Sequence, residues 1–292
     1  MAKDLAEAFP AAREALAAID EALGFPLSRL MGDGPEDELQ LTHNAQPAIL
    51  AHSVAVLGVL GKRTGHVLTA AGHSLGEYSA YVAAGALGGP AAAALVRRRG
   101  ELMLYAGSQR PGAMAAVLAL GTSEVAEACR ASSVAGRIVV PANLNAPDQT
   151  VISGDPEAVA AAGEACKRLG AKRVLPLRVS GAFHSPLMAP AVPGLREALA
   201  GTAFADPSFP VLANATAEPV RSGADATRLL VEQLTAPVRW VDSMRAAGAL
   251  APDATFLELG PGNVLAGLLR RTLPDARCVS LGTVSDLEKF LQ

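Results

Sequence analysis

Aromatic residues make up only 4 % of this 292-residue chain, which has a single tryptophan. So sparse a set leaves few platforms for stacked bases, and a formal charge of −3 gives no bulk attraction to nucleic acid or an anionic membrane. Cysteine is as scarce: Cys129, Cys166 and Cys278 lie far apart. An odd count without pairing or metal spacing argues against a disulfide framework and fits a reducing compartment, so a cytoplasmic location is expected. Lys3, Asp4 and Glu7 open the chain, and no secretory leader is expected. Only 39–61 and 78–96 lack charge for about the length of a membrane span. The first holds His43, Asn44, Gln46, Pro47 and His52, and Gly85 and Gly88-Gly89-Pro90 break the second. Both are expected to be buried helices, and no membrane or nucleic-acid partner is implied.

What is present is core-forming material. Half of the residues are hydrophobic, enough for one large domain or two unequal ones. The chain is organised around 66–80. There an apolar run leads into Gly72-His73-Ser74-Leu75-Gly76, and a helical pattern follows. This is G-x-S-x-G between a strand and a helix, the arrangement that lifts a serine hydroxyl off a sheet edge. The glycines are expected to relieve crowding at the reversal. The Leu75 N–H, at the start of the new helix, would suit a developing oxyanion.

In order, 3–23 has apolar residues at helical spacing, with a break at Pro10 and a stop at Gly24. Residues 32–35 are a loop. A helix starts near Asn44, with Pro47 in its first turn, and runs past Leu60. Then come a strand at 66–71 and helices at 75–84 and 90–106. From Gly112 the pattern is strand 113–120, helix 122–131, strands 137–141 and 149–153, helix 155–169 and strand 172–178. This β-α-β-β-α-β order is that of a ferredoxin-like unit. The remainder has a loop at 181–184, helices at 186–200, 223–235, 237–247 and 263–271, strands at 209–213, 254–259 and 277–280, and a terminal helix. Gly260-Pro-Gly262 lacks the further residues of a phosphate-binding loop and reads as a strand-to-helix turn.

These pieces together resemble the malonyl-CoA:acyl-carrier-protein transacylases and the acyltransferase domains of polyketide synthases. The resemblance runs over almost the whole chain. It is carried by Thr42-His-Asn-Ala-Gln-Pro-Ala48, Gly72-His-Ser-Leu-Gly-Glu77, Arg99-Gly100, Gly112-Ala-Met-Ala-Ala116 and Asn143-Leu-Asn-Ala-Pro147. It continues in Val151-Ile-Ser-Gly154, Gly181-Ala-Phe-His-Ser185, Gln233-Leu234, Pro237-Val-Arg-Trp240 and Glu258-Leu-Gly-Pro-Gly262. The implied fold is α/β: an α/β-hydrolase-like large domain, 1–110 with 181–292, carrying an inserted ferredoxin-like subdomain at 111–180.

The resemblance implies ping-pong transfer of malonyl from malonyl-CoA to the phosphopantetheine thiol of acyl carrier protein, through an ester on Ser74. His184 would be the base, oriented by the main-chain carbonyl of Gln233 instead of a carboxylate. Arg99 would grip the malonyl carboxylate with two parallel hydrogen bonds, while Arg97 and Arg98 are expected on a polar face. Phe183 is expected to fill the space an α-methyl group would need, giving a preference worth a few kcal/mol at most. Gln46 and His73 are further candidates near the substrate. No metal or other cofactor is implied, and a monomer is expected. The carrier is acidic, so Lys167-Arg168 and Lys172-Arg173 are candidate docking charges.

One departure stands out. The family opens with a strand ending in Phe-Pro-Gly-Gln-Gly-Ser-Gln, whose Gln supplies a second oxyanion donor, and Met1–Leu5 aligns just downstream of it. A start assigned too late, or a truncation, is the expected reason, and loss of that donor would cost about 100- to 1,000-fold in rate. Two alternatives remain at this point: an inactive paralogue that binds carrier protein, and a serine thioesterase or esterase.

Overall fold

The computed structural model describes residues 1–250 and 252–292. Helices α1 (Lys3–Ala8) and α2 (Pro10–Leu23) part at Phe9, with Pro10 in the first turn of α2, where its missing N–H costs nothing. Gly24 ends α2 in the left-handed region, φ 69°. The loop expected at 32–35 shrinks to Gly34-Pro35, because 32 and 33 belong to the first of two helices too short to show a period, α3 (Leu27–Asp33) and α4 (Glu36–Gln40). Helix α5 (Thr42–Leu60) starts earlier than expected, so Pro47 lies in its second turn. Proline cannot donate to the carbonyl four residues back. That carbonyl, of His43, accepts from Arg97 Nη1 at 3.4 Å. Twelve α5 residues are buried, so the first charge-free run is a core helix.

The strand expected at 66–71 shrinks to β1 (Ala70–Ala71). Extended backbone counts as a strand only where it finds a partner; among the described residues only Ala70 and Ala71 of that stretch pair, with β6, and Leu68 is exposed. The second charge-free run divides between α6 (Gly76–Ala83) and α7 (Gly89–Gln109).

The next segment is β2 (Ala113–Leu118), α8 (Thr122–Ser132), β3 (Val139–Ala146), β4 (Gln149–Gly154), α9 (Pro156–Arg168) and β5 (Arg173–Pro176). Its sheet has the order β3-β4-β2-β5 with every pair antiparallel, the ferredoxin-like arrangement. Val117, Val125, Ile152 and Val159 form its core between sheet and helices, with Cys129 and Cys166 among them. On the other face Met114, Ala116, Ala142 and Val151 pack with Phe183. Strand β3 runs five residues past the expected end at 141. Asn143 and Asn145, beyond the expected end, are both buried. The outer edge of β3 is tied to the rest of the chain: Val238 N–H donates to the Ala142 carbonyl at 2.8 Å, and Leu144 N–H to the Val238 carbonyl at 2.9 Å.

The chain then forms a 3-10 turn (Pro186–Ala191), α10 (Val192–Ala200), β6 (Val211–Leu212) and an unexpected β7 (Pro219–Val220). Helices α11 (Gly223–Glu232) and α12 (Trp240–Leu250) follow. Last come β8 (Thr255–Leu259), α13 (Val264–Thr272), β9 (Arg277–Leu281) and α14 (Val284–Leu291). Strand β1 pairs parallel with β6, and β8 parallel with β9, Cys278 lying half-buried on β9. Around these short strands α2, α5, α6, α7, α10 and α11 share one apolar core.

Candidate active site

The turn from β1 into α6 holds Ser74 in the left-handed region, φ 53°, costly for a residue with a Cβ. Gly72 makes the turn sterically feasible: a Cβ there would overlap the Gly76 carbonyl and Glu77 nitrogen. Gly76 does not fit the expectation that both glycines relieve crowding, because a Cβ there would meet nothing within 4 Å.

A side chain from the neighbouring strand clamps the strained turn. Asn214, just past β6, accepts from Ser74 N–H at 2.7 Å and donates Nδ2–H to the Gly72 carbonyl at 2.7 Å. The Leu75 N–H makes no hydrogen bond among the described residues and is free for an incoming oxygen.

His184 also has positive φ, 55°. Its Nε2 lies 2.8 Å from Ser74 Oγ, and its Nδ1 lies 2.9 Å from the Gln233 main-chain oxygen. A carbonyl only accepts, so Nδ1 carries the hydrogen and Nε2 is left with its lone pair towards the serine. Burial, then the nearby Arg99 charge, push the His184 pKa down to about 3. The imidazole is therefore neutral at physiological pH, the form that can take a proton.

Arg99, on α7, is 1 % exposed. Its Nη1 donates to Gln46 Oε1 at 2.6 Å; its Nη2 donates to Ser74 Oγ and Gln233 Oε1, both at 3.0 Å. The buried Nε–H has no partner among the described residues, and no carboxylate touches the guanidinium. A buried cation held only by amides and a hydroxyl is well placed to accept an anionic ligand. Arg97 instead pairs with Glu101 at 3.0 Å, donates to Asn44 and lies over the Phe25 ring, and Arg98 is exposed.

The structure thus brings Ser74, Leu75, His184, Gln233, Arg99 and Gln46 together. Phe183 lies beside them, wedged between the large apolar core and the four-stranded sheet. His73 points elsewhere. Its ring, also held neutral by burial, lies 2.8 Å from Asn145 Oδ1 and 5.5 Å from the Trp240 ring. It joins the turn to β3 and does not reach Ser74 Oγ. Lys167, Arg168, Lys172 and Arg173 are exposed, Lys167 pairing with Glu164.

Three contributions went unrecognised in the sequence. The Gln233 side chain takes part as well as its carbonyl. Glu77, fully buried, accepts from Asn214 N–H at 2.9 Å and Gln233 Nε2–H at 2.7 Å. Desolvation raises its pKa to about 7, against the pull of those donors. Asn214 had a usable signal, a lone amide at the end of the apolar run Val211-Leu-Ala213, where α/β sheets present their site residues.

The description "Acyl transferase domain" fits residues 1–291. The malonyl CoA-acyl carrier protein transacylase of Bacillus subtilis (strain 168) is 41 % identical over 292 residues, spanning 100 % of this chain and 92 % of that protein. The protein of that name from Escherichia coli (strain K12) is 40 % identical, spanning 100 % and 94 %. Among solved structures, a malonyl-transacylase in complex with its type II polyketide acyl-carrier protein superposes with a TM-score of 0.94. It is 40 % identical, and the match covers 100 % of this chain and 94 % of that one. An acyl carrier protein S-malonyltransferase from Vibrio cholerae also reaches 0.94 at 38 % identity, covering 99 % and 94 %. This chain therefore belongs to the malonyl-CoA:acyl-carrier-protein transacylase family.

Proposed function

We propose that the chain moves a malonyl group from malonyl-CoA to the phosphopantetheine thiol of acyl carrier protein, through an ester on Ser74. The observation that carries this is the convergence of His184 Nε2 and Arg99 Nη2 on Ser74 Oγ, at 2.8 and 3.0 Å. His184 takes the hydroxyl proton as Oγ attacks the thioester carbonyl, and the Gln233 carbonyl steadies the imidazolium that forms. The carbonyl oxygen, now negative, meets the Leu75 N–H. The C–S bond then breaks, and His184 returns the proton to the departing CoA sulfur. In the second half the carrier thiol loses its proton to His184, its sulfur attacks the ester, and Ser74 leaves with the proton restored. Arg99 holds the free malonyl carboxylate throughout, and Gln46 holds Arg99. Phe183 borders the space next to the α-carbon.

The same proposal includes a cytoplasmic, monomeric enzyme with a catalytic domain at 1–110 and 181–292 and a subdomain at 111–180. The exposed Lys172 and Arg173 on that subdomain would meet the acidic carrier. A buried guanidinium beside the nucleophile suits an anionic acyl donor and speaks against a general esterase.

Intact mass of the chain after brief exposure to malonyl-CoA, beside Ser74→Ala, tests the proposal. A malonyl adduct on the unaltered chain only, discharged by carrier protein, is expected. No adduct on a folded chain would overturn it.

A further inference from the structure

Glu77 takes no part in the transfer steps above, yet it is 0 % exposed and sits within the first turn of α6. Its Oε2 is a branch point. One branch runs through the Asn214 main chain, 2.9 Å away, to the residue whose side chain clamps Gly72 and Ser74. The other runs through Gln233 Nε2, 2.7 Å away. That amide also donates to the Ser74 carbonyl at 3.0 Å and turns its Oε1 to Arg99 Nη2 at 3.0 Å. The main-chain oxygen of the same Gln233 receives His184 Nδ1–H.

An amide has two faces of opposite character. Turned over, Gln233 would set its NH2 against the guanidinium, donor against donor, and its oxygen against the Glu77 and Ser74 oxygens. The Asn214 N–H keeps Glu77 Oε2 an acceptor whether or not Oε1 carries a proton, so it permits one orientation. Acting on the malonyl-transfer reading above, the geometry points to Glu77 as a positioning residue that locks the Gln233 amide and thereby aims Arg99 at the substrate carboxylate. Its effect falls on the choice between anionic and neutral acyl groups, more than on the serine's nucleophilicity. Among the described residues neither Glu77 Oε1 nor the buried Tyr81 hydroxyl has a hydrogen-bond partner. An amide NH2 in place of Oε1 would therefore break no hydrogen bond and leave the Oε2 side as it is.

The test compares Glu77→Gln, which keeps an accepting oxygen, with Glu77→Asp, which keeps the charge but draws the oxygen back by one methylene. The full chain is loaded from malonyl-CoA and from acetyl-CoA, and the ratio of the two kcat/KM values is read after thermal unfolding shows each variant folded. Glu77→Gln is expected to hold the ratio within about threefold, and Glu77→Asp to lower it about tenfold or more, through the malonyl value. A Glu77→Asp ratio equal to that of the unaltered chain overturns the inference. So does a tenfold fall in Glu77→Gln, which remains decisive even if the aspartate variant does not fold. An unaltered chain that takes up no malonyl would instead sink the malonyl-transfer reading itself.

Discussion

Replacing Arg99 by lysine keeps one positive charge in the same buried place and removes the fork. In the resting site the guanidinium divides its two ends between Gln46 on one side and Ser74 with Gln233 on the other. A malonyl carboxylate would be read by those nitrogens as two parallel bonds, which one ammonium cannot reproduce. A hydrogen bond to a charged group contributes about 1.5–3 kcal/mol, so losing one of two predicts a fall of roughly 10- to 150-fold in kcat/KM for malonyl loading. Acetyl loading, which lacks the carboxylate, should change little. The assay is adduct formation on Ser74 with the two CoA esters in competition. A folded Arg99→Lys protein with an unchanged malonyl-to-acetyl ratio would refute the carboxylate-reading role. Equal losses for both esters would show that Arg99 acts on Ser74 or His184 instead.

Four further outcomes follow from the geometry. With the His184 pKa pushed down to about 3, kcat/KM for loading should stay flat through the pH range in which an ordinary histidine titrates. The same depressed value bears on stability: below pH 6.5 the unfolded chain takes up a proton that the folded chain refuses, so stability is lost as pH falls from there towards 3. His184→Gln should flatten that slope by about 1.4 kcal/mol per pH unit in thermal unfolding. Gly72→Ala should destabilise by about 3 kcal/mol, because its Cβ meets backbone that cannot step aside, whereas Gly76→Ala should be neutral or stabilising by up to about 1 kcal/mol. Asn214→Ala strands Ser74 N–H and the Gly72 carbonyl; it should cost about 1–3 kcal/mol and lower kcat more than it raises KM.

Much of the fold was legible because long periodic segments announce themselves. Helices α5 and α7, 19 and 21 residues long, were both found in the sequence though shorter than they are, and the β-α-β-β-α-β order appeared with ends off by a few residues. Failures cluster where pairing or burial overrides local pattern. An apolar run such as 66–71 cannot show that only its last two residues find a partner strand. Asn143 and Asn145 look like loop residues until one sees that β3 is buried by residues far along the chain. At the site, G-x-S-x-G located Ser74, and the family pattern located His184 and Arg99. Gln46 came with that pattern, and Asn214 carried only the signal of a lone amide after an apolar run, whereas the Glu77 carboxylate and the Gln233 side chain were silent, since nothing local in Glu77 reveals a partner more than 130 residues away.

The thiols make the molecule self-reporting. Cys129 and Cys166 are shut inside the four-stranded unit, while Cys278 lies on the β8–β9 pair, only half covered. Burial raises all three pKa values, which slows alkylation until the surrounding structure opens. A labelling time course resolved by peptide would act as a clock with two hands. Modification of Cys129 and Cys166 would time the opening of one core, and Cys278 would time the loosening of the carboxy-terminal strands, with no probe added to the chain.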